Sequence, residues 1–175
     1  MNKLHATILA GALCATAGWA SAQTTLIYGE AGPNRGVRAE GTQWFVDQVG
    51  KLSNGDLKID VNWGGALFSD KAAVQSLRDG VADLGSVIGV YFPADMIAYG
   101  LADLPIPNTD PWVGMKAVDR IMRTDEKVRE NLAKQNLVFV GTYTTSAVQV
   151  GCKGKSIKTL DDLKGLKVRG VGVYG

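Results

Sequence analysis

The sequence predicts an α/β protein, with a mostly parallel sheet carrying helices on its faces. Three observations predict it. Strand-like and helix-like stretches alternate in the order β-α-β-α-β-α-α-β-β-α-β along the chain, the pattern of helices packed on a shared sheet. In the run 57–63, Leu57, Ile59, Val61 and Trp63 alternate with Lys58, Asp60 and Asn62, the period of two of a half-buried strand. The run 84–90 is almost continuously apolar, as suits a strand covered on both faces.

The elements follow in order. Residues 24–29 form a β-rich run ending in a turn, 29–36, that contains Pro33 and Asn34. A helix over about 35–52 places Val37, Trp44, Phe45, Val49 and Leu52 on one stripe, which is expected to face the core. Ser53-Asn54-Gly55-Asp56 stops it before the 57–63 strand, and Gly64-Gly65 ends that strand. Ser69 is expected to cap a helix running to Asp79, with Gly80 as its stop. After the 84–90 strand, a Pro-containing loop around 104–107 leads to Asp110-Pro111, where Asp caps a helix and Pro takes its first position. A more charged helix over 125–135 precedes strands at 137–144 and 146–152. Near the end, Thr159 caps a short helix with Asp161 and Asp162 in its first turn, and Gly165 closes it. In Leu166-Lys167-Val168-Arg169 the alternation turns Leu166 and Val168 inward and presents Lys167 and Arg169 on the opposite face.

Residues 1–22 read as an export signal. Lys3 and His5 begin it, 6–17 is apolar, and Ala20-Ser21-Ala22 is a small-x-small cleavage site. The apolar run is too short to cross a hydrocarbon layer of about 30 Å as a helix. Cleavage after Ala22 is expected, and since no second apolar run follows, the mature protein is expected to be soluble. Cleavage removes the chain's one histidine, His5, together with Cys14. The formal charge of +2 becomes 18 − 17 = +1 with the loss of Lys3, a balance that argues against a nucleic-acid surface.

Without histidine, Ser-His-Asp, Cys-His and His-metal arrangements are excluded from the mature chain. Neither a catalytic residue nor a metal site nor a cofactor is expected. Cys152, the remaining thiol, reads as a small buried apolar residue. The carboxylates of Asp125, Glu126, Asp161 and Asp162 sit at helix starts, where capping accounts for them. Gly170-Val171-Gly172-Val173-Tyr174-Gly175 matches a dinucleotide-binding glycine pattern, but neither the helix nor the acidic residue that such a site needs follows it. Arg169 has two readings: a solvated arginine on the polar face of a strand, or an anchor whose planar fork grips a carboxylate.

Asp162-Leu163-Lys164-Gly165-Leu166-Lys167-Val168-Arg169 resembles the DLKGLK-(I/V)-R segment of the periplasmic solute receptors of TRAP transporters, the DctP family. Other landmarks resemble that family in the same order: Ser53 to Lys58, Gly65-Ala66-Leu67, Gly80-Val81-Ala82-Asp83 and Leu104-Pro105-Ile106. The resemblance implies a two-lobed periplasmic-binding-protein fold, in which 23–148 is an essentially complete first lobe. Residues 149–175 would then hold the inter-lobe strand and the truncated start of the second lobe. It implies a monomeric periplasmic receptor that closes on a small organic acid and delivers it to a small and a large membrane subunit. Arg169 would pair with the ligand carboxylate, and Gln149 would help set specificity. Glu30 and Asn34 in the first turn, Tyr91 and Phe92 after the third strand, and Tyr174 would face the cleft. With only the amino-terminal half of the family pattern present, this 175-residue chain is expected to bind its ligand poorly or not at all. A receptor for an ATP-driven importer and an exported enzyme are the alternatives. Both are weakened, the first by the conjunction of landmarks and the second by the missing histidine.

Overall fold

The computed structural model of the chain describes residues 22–100, 110–144 and 151–172. Its framework is a β-α-β-α-β unit. Strand β1 (Thr24–Gly29) leads into helix α1 (Gly36–Leu52), followed by β2 (Leu57–Asn62), helix α2 (Ala73–Arg78) and a short β3 (Leu84–Gly85). The three strands pair in parallel in the order β2-β1-β3, with Thr24 opposite Leu57 and Tyr28 opposite Leu84. Parallel pairing needs the long crossovers that α1 and α2 supply. It also sends the three carboxyl ends, and the loops that follow them, to one end of the sheet.

Helix ends follow local chemistry closely. After α1, Asn54 adopts a left-handed φ of 52°, and Gly55 N–H returns to the Gly50 carbonyl at 2.9 Å while Asn54 N–H bonds that of Lys51 at 3.2 Å. This double return satisfies carbonyls the helix leaves free. The same pair of bonds closes α2 around Gly80. It also closes helix α5 (Glu126–Ala133), where Asn136 at φ 56° takes the left-handed position. Helix α4 (Pro111–Thr124) begins as its sequence predicts: Asp110 Oδ1 accepts from Trp112 N–H at 2.9 Å and Pro111 takes the first position. Asp125 caps α5 by accepting from Val128 N–H at 3.1 Å. Ser69 makes no side-chain cap, and the stretch it opens begins as a 3-10 turn (Asp70–Ala72) before α2.

The core lies beside the sheet, where Phe68, Ala73, Val74 and Ala82 meet Phe92, Met96, Met122, Val128 and Leu132 from the later part of the chain. Short helix α3 (Ile97–Gly100) follows Met96. Phe68 lies across the seam between β1 and β3. A Cβ on Gly29 would come within 2.2 Å of its ring and one on Gly85 within 2.9 Å, so the strand ends must be side-chain-free for the ring to seat.

Five expectations are corrected. The α1 stripe does not face the core: Val37 is 83% exposed, Trp44 66% and Leu52 81%, while the inner side is built on Ala39 with half-buried Arg38, Thr42, Phe45, Val46 and Val49. At 3.6 residues per turn the packed arc is centred roughly a quarter-turn from the predicted stripe, and only Phe45 and Val49 belong to both. β3 stops at Gly85 because its neighbour β1 ends at Gly29. Ser86 N–H makes a last bond to the Gly29 carbonyl at 3.2 Å, and the chain then enters a 3-10 turn (Gly89–Tyr91). The stretches 137–144 and 166–169 form no strand, and Val168, expected inward, is 65% exposed. Thr159 opens a 3-10 turn (Leu160–Leu163), not an α-helix. Cys152 is exposed, on a segment that no described element covers. The predicted loop at 104–107 and most of the predicted 146–152 strand lie outside the described residues.

Candidate functional site

Where β1 ends, the chain places a carboxylate at the centre of the sheet's carboxyl end. Glu30 is 1% exposed. Its Oε1 accepts from Gly32 N–H at 2.7 Å and from Arg38 Nη2 at 2.5 Å, and its Oε2 accepts from the Ser86 hydroxyl at 2.6 Å. Each partner comes from a different piece of the framework: the turn after β1, the first turns of α1, and the residue that follows β3. Because Ser86 gives its one proton to Glu30, the Tyr28 hydroxyl, 2.9 Å from Ser86 Oγ, must be the donor in that contact. A chain of donors thus runs from Tyr28 through Ser86 to the carboxylate.

Burial holds the Tyr28 hydroxyl above its ordinary pKa; the hydrogen bond with Ser86 opposes this, while the Glu30 charge adds to it. Tyr143 closes the cluster from the other half of the chain. Its ring lies over the Arg38 guanidinium, 5.2 Å from centroid to Cζ. Burial pushes its hydroxyl up to about 12, against the pull of the Arg38 charge. Arg38 Nε is buried without a hydrogen-bond partner among the described residues. The loop after β2 is tied to the same turn through backbone alone: Gly64 N–H bonds the Gly32 carbonyl at 2.9 Å and Gly65 N–H that of Glu30 at 3.1 Å.

A second group of residues gathers on the loop that follows β3. Gly172 takes φ 57°, and a Cβ there would lie 2.4 Å from the Val90 carbonyl oxygen. Glycine alone permits so close an approach, and it seats the stretch following Arg169 on the loop following β3. An open depression of about 340 Å³ lies at this junction, lined by Lys71, Val90, Tyr91, Pro93 and Gly172. A larger depression, about 750 Å³, lies elsewhere, between α4, α5 and residues 137–139, and none of the expected site residues lines it.

The expected site residues are thus dispersed in role. Glu30 is saturated by internal partners. Asn34 is exposed in the turn after β1. Tyr91 is half-buried and borders the smaller depression. Phe92 is 8% exposed and committed to the core beside Met96. Arg169 is exposed and makes no hydrogen bond or ion pair with any described residue. Gln149 and Tyr174 lie outside the described residues. Sequence reasoning missed Tyr28, Arg38, Ser86 and Tyr143. Ser86 had a signal, as the one hydroxyl in the apolar 84–90 run, and Arg38 another, as a charge on the packed arc of α1.

Among the described residues no group of three or more His, Cys, Asp or Glu side chains could hold a metal ion, and no helix is long and apolar enough to cross a membrane.

Comparison with known proteins agrees with this architecture. The family model for bacterial extracellular solute-binding protein family 7 (DctP) matches residues 28–172. A C4-dicarboxylate-binding protein, DctB, of Bacillus subtilis is 30% identical over 129 residues, covering 71% of this chain and 35% of that protein. Among solved structures, a TRAP periplasmic solute-binding protein from Desulfovibrio salexigens superposes with a TM-score of 0.56 at 21% identity, over 62% of this chain and 34% of the other. A Bordetella pertussis extracytoplasmic solute receptor binding pyroglutamic acid gives 0.54 at 22% identity, over 64% and 36%. The sugar acid binding protein of Advenella mimigardefordensis, in complex with galactonate, gives 0.55 at 21%, over 66% and 37%. These structures are two-lobed solute-binding proteins, and the chain spans about a third of the length of the relatives it matches. With a family match from the end of β1 to the glycine seated on Val90, the chain belongs to the bacterial extracellular solute-binding protein family 7, the DctP family.

Proposed function

We propose that this chain is the amino-terminal part of an extracytoplasmic receptor that captures an organic acid for a TRAP-type transporter and hands it to a small and a large membrane subunit. Residues 1–22 act as the export signal, cleaved after Ala22; 23–148 form the first lobe, and 149–175 begin the second. The receptor works as a monomer without a cofactor. The relatives are described as binding pyroglutamic acid, galactonate and C4-dicarboxylates, ligands that share a carboxylate and differ in the rest.

The observation that carries this reading is the seat of Gly172 on Val90. It holds the Arg169 stretch at the end of the sheet where parallel α/β folds place their ligands. Arg38 and Arg169 both belong to that end, and their states differ. Arg38 is neutralised by Glu30 and covered by Tyr143. Arg169 has no ion-pair or hydrogen-bond partner among the described residues, which leaves its fork for two charge-assisted bonds to a carboxylate. Glu30 therefore serves as a positioning group, holding the turn after β1, the start of α1 and Ser86 in one arrangement. Asn34, Tyr91, Gln149 and Tyr174 are the further candidates for ligand contact, with Phe92 supporting Tyr91 from the core.

The test is calorimetric titration of the receptor, expressed from its full reading frame, with pyroglutamate, galactonate and succinate. Arg169→Ala is expected to weaken the best of these about 100-fold, the loss of a bidentate charge-assisted pair. Arg169→Lys should recover only part, because an ammonium is a point charge. Undiminished affinity in the alanine variant would remove Arg169 as the anchor.

A further inference from the structure

The stop of α1 holds the one Asn-Gly pair of the sequence, Asn54-Gly55, in an exposed turn. Such a pair carries a chemistry of its own. Glycine has no side chain to shield its backbone nitrogen, which can reach the amide carbon of the preceding asparagine and close a five-membered ring. In this turn that nitrogen is occupied. Asn54 takes the left-handed position at φ 52°, and the long return bond that closes the helix is donated by Gly55 N–H to the Gly50 carbonyl at 2.9 Å. The turn is also fastened from outside. Gln23 Nε2 donates to the Gly55 carbonyl at 2.8 Å, and Thr24 N–H to the Asp56 carbonyl at 2.8 Å. Ser53 Oγ donates to the Gly50 carbonyl at 3.2 Å and accepts from Leu57 N–H at 3.0 Å, which ties the last turn of α1 to the start of β2. The Asn54 side-chain amide makes no hydrogen bond with any described residue.

We infer that Asn54 is a deamidation site gated by the helix stop. While α1 is closed, the nitrogen that would attack is the one whose N–H the helix end uses, and the side chain stays intact. When the last turn opens, solvent base takes the Gly55 amide proton, the nitrogen bonds to Asn54 Cγ, and the Cγ–Nδ2 bond breaks with release of ammonia. Water then opens the succinimide at either carbonyl and leaves aspartate or isoaspartate at position 54; no oxidant or cofactor is consumed. Both products weaken the stop. Aspartate adds a negative charge at a helix C-terminus, where the dipole opposes it. Isoaspartate inserts a methylene into the main chain, so the Gly55 return to Gly50 and the bonds from Gln23 and Thr24 cannot all close again. Asn136 is the internal contrast. It has the same left-handed φ, 56°, and Leu137 N–H donates the same return bond, to the Leu132 carbonyl at 3.0 Å. There the branched, half-buried Leu137 side chain shields the nitrogen, so the geometry is shared and the chemistry is not. The site is independent of the receptor reading above.

Peptide mapping by mass spectrometry tests this on the protein expressed from its full reading frame and held in mildly alkaline buffer, with and without unfolding urea. Position 54 lies in the tryptic fragment 52–58, whose mass rises by a single unit when the amide becomes an acid. Asn54 should convert about tenfold or more slowly in the folded chain than in urea, because the last turn is closed most of the time. Asn136 should stay intact in the folded chain and lag far behind Asn54 in urea. Ser53→Ala removes the ties to Gly50 and Leu57 and leaves the Asn-Gly pair in place. It should speed the folded-state reaction about threefold and leave the rate in urea unchanged. Equal wild-type rates with and without urea would overturn the gating, and no conversion in urea would overturn the chemistry. An unchanged folded-state rate in Ser53→Ala would show that the bonds closing the turn do not govern the reaction.

Discussion

Residues 57–62 and 166–169 carry the same alternation of apolar and polar side chains, yet one is a strand and the other is not. Leu57–Asn62 lies in register along the whole of β1, with Ile59 buried and Lys58 and Asp60 outward. In Leu166-Lys167-Val168-Arg169 no ladder forms and Val168 stays 65% exposed. The stretch 137–140 falls between the two. Leu137 and Phe139 turn to the core and Val138 and Val140 outward, as in a strand, without a paired neighbour among the described residues. The difference teaches that alternation selects a face, whereas a strand requires a partner edge. In residues 24–92 the partners are local in sequence, one crossover away; for the later stretches no such neighbour lies among the described residues.

The largest effect that would sharpen this contrast concerns Phe68. Its ring is 6% exposed and occupies the space left by Gly29 and Gly85, so it joins β1, β3 and α2. Phe68→Ala should cost about 3–5 kcal/mol, the range for truncating a buried aromatic. Val168→Ser, the same kind of loss of apolar surface in the unpaired stretch, should move the urea midpoint by less than the error of the fit. A comparable loss from both variants would show that 166–169 is packed as firmly as the sheet.

A smaller effect separates two ion pairs. Glu30–Arg38 joins a carboxylate with no exposed side-chain surface to an arginine whose side chain is 29% exposed, whereas in Lys164–Asp161 both side chains are about four-fifths exposed, at 79% and 80%. Removing one partner of a buried pair strands the other charge, so Glu30→Ala should cost about 2–3 kcal/mol, below the range for full burial because Arg38 reaches water. Asp161→Ala strands nothing and should leave stability unchanged. Equilibrium denaturation of both variants checks the difference. The Glu30 variant should also lower the pKa of Tyr28, since the carboxylate's repulsion of the phenolate is gone and the hydrogen-bonded chain through Ser86 loses its acceptor.

What could be read in the sequence follows the same line. The β-α-β-α-β order, the helix stops at Asn54 and Gly80, and the caps at Asp110 and Asp125 are decided by a few adjacent residues, and all of them form. The rotation of α1 was not legible, because that helix has apolar residues on more than one side and the sheet chooses which to cover. The length of β3 was not legible either: the apolar run 84–90 is intrinsically strand-like, but the neighbour it needs ends at Gly29. At the candidate site the turn after β1 and the loop after β3 could be named from the family pattern. The Tyr28–Ser86–Glu30–Arg38–Tyr143 cluster could not, because it joins residues more than a hundred positions apart through tertiary packing. Arg169 is exposed, which leaves both readings of it, solvated arginine and carboxylate anchor, standing.

The smallest expected effect tests whether the unpaired end of the chain has any local order of its own. At the 3-10 turn 160–163, Asp162 Oδ2 accepts from Lys158 N–H at 2.9 Å and Thr159 N–H at 2.8 Å, while Thr159 bonds back to the third residue of the turn. These backbone bonds hold the Asp162 carboxyl below its ordinary pKa of 3.8, although it is fully exposed. The sign is that of a depressed acid: the charged form belongs to the folded turn, so its contribution is complete above pH 3.8 and is lost as pH falls through the lowered value. Since no described element covers this turn, the loss should be local. In an acid titration followed by nuclear magnetic resonance, the Lys158 and Thr159 amide signals should shift together at a pH below 3.8 while those of β1 and β2 hold still. Asp162→Asn should remove that titration and leave the urea midpoint of the sheet in place. Simultaneous loss of the sheet signals would mean that the Arg169 stretch and the β1–β2–β3 framework unfold as one unit, through the seat of Gly172 on Val90.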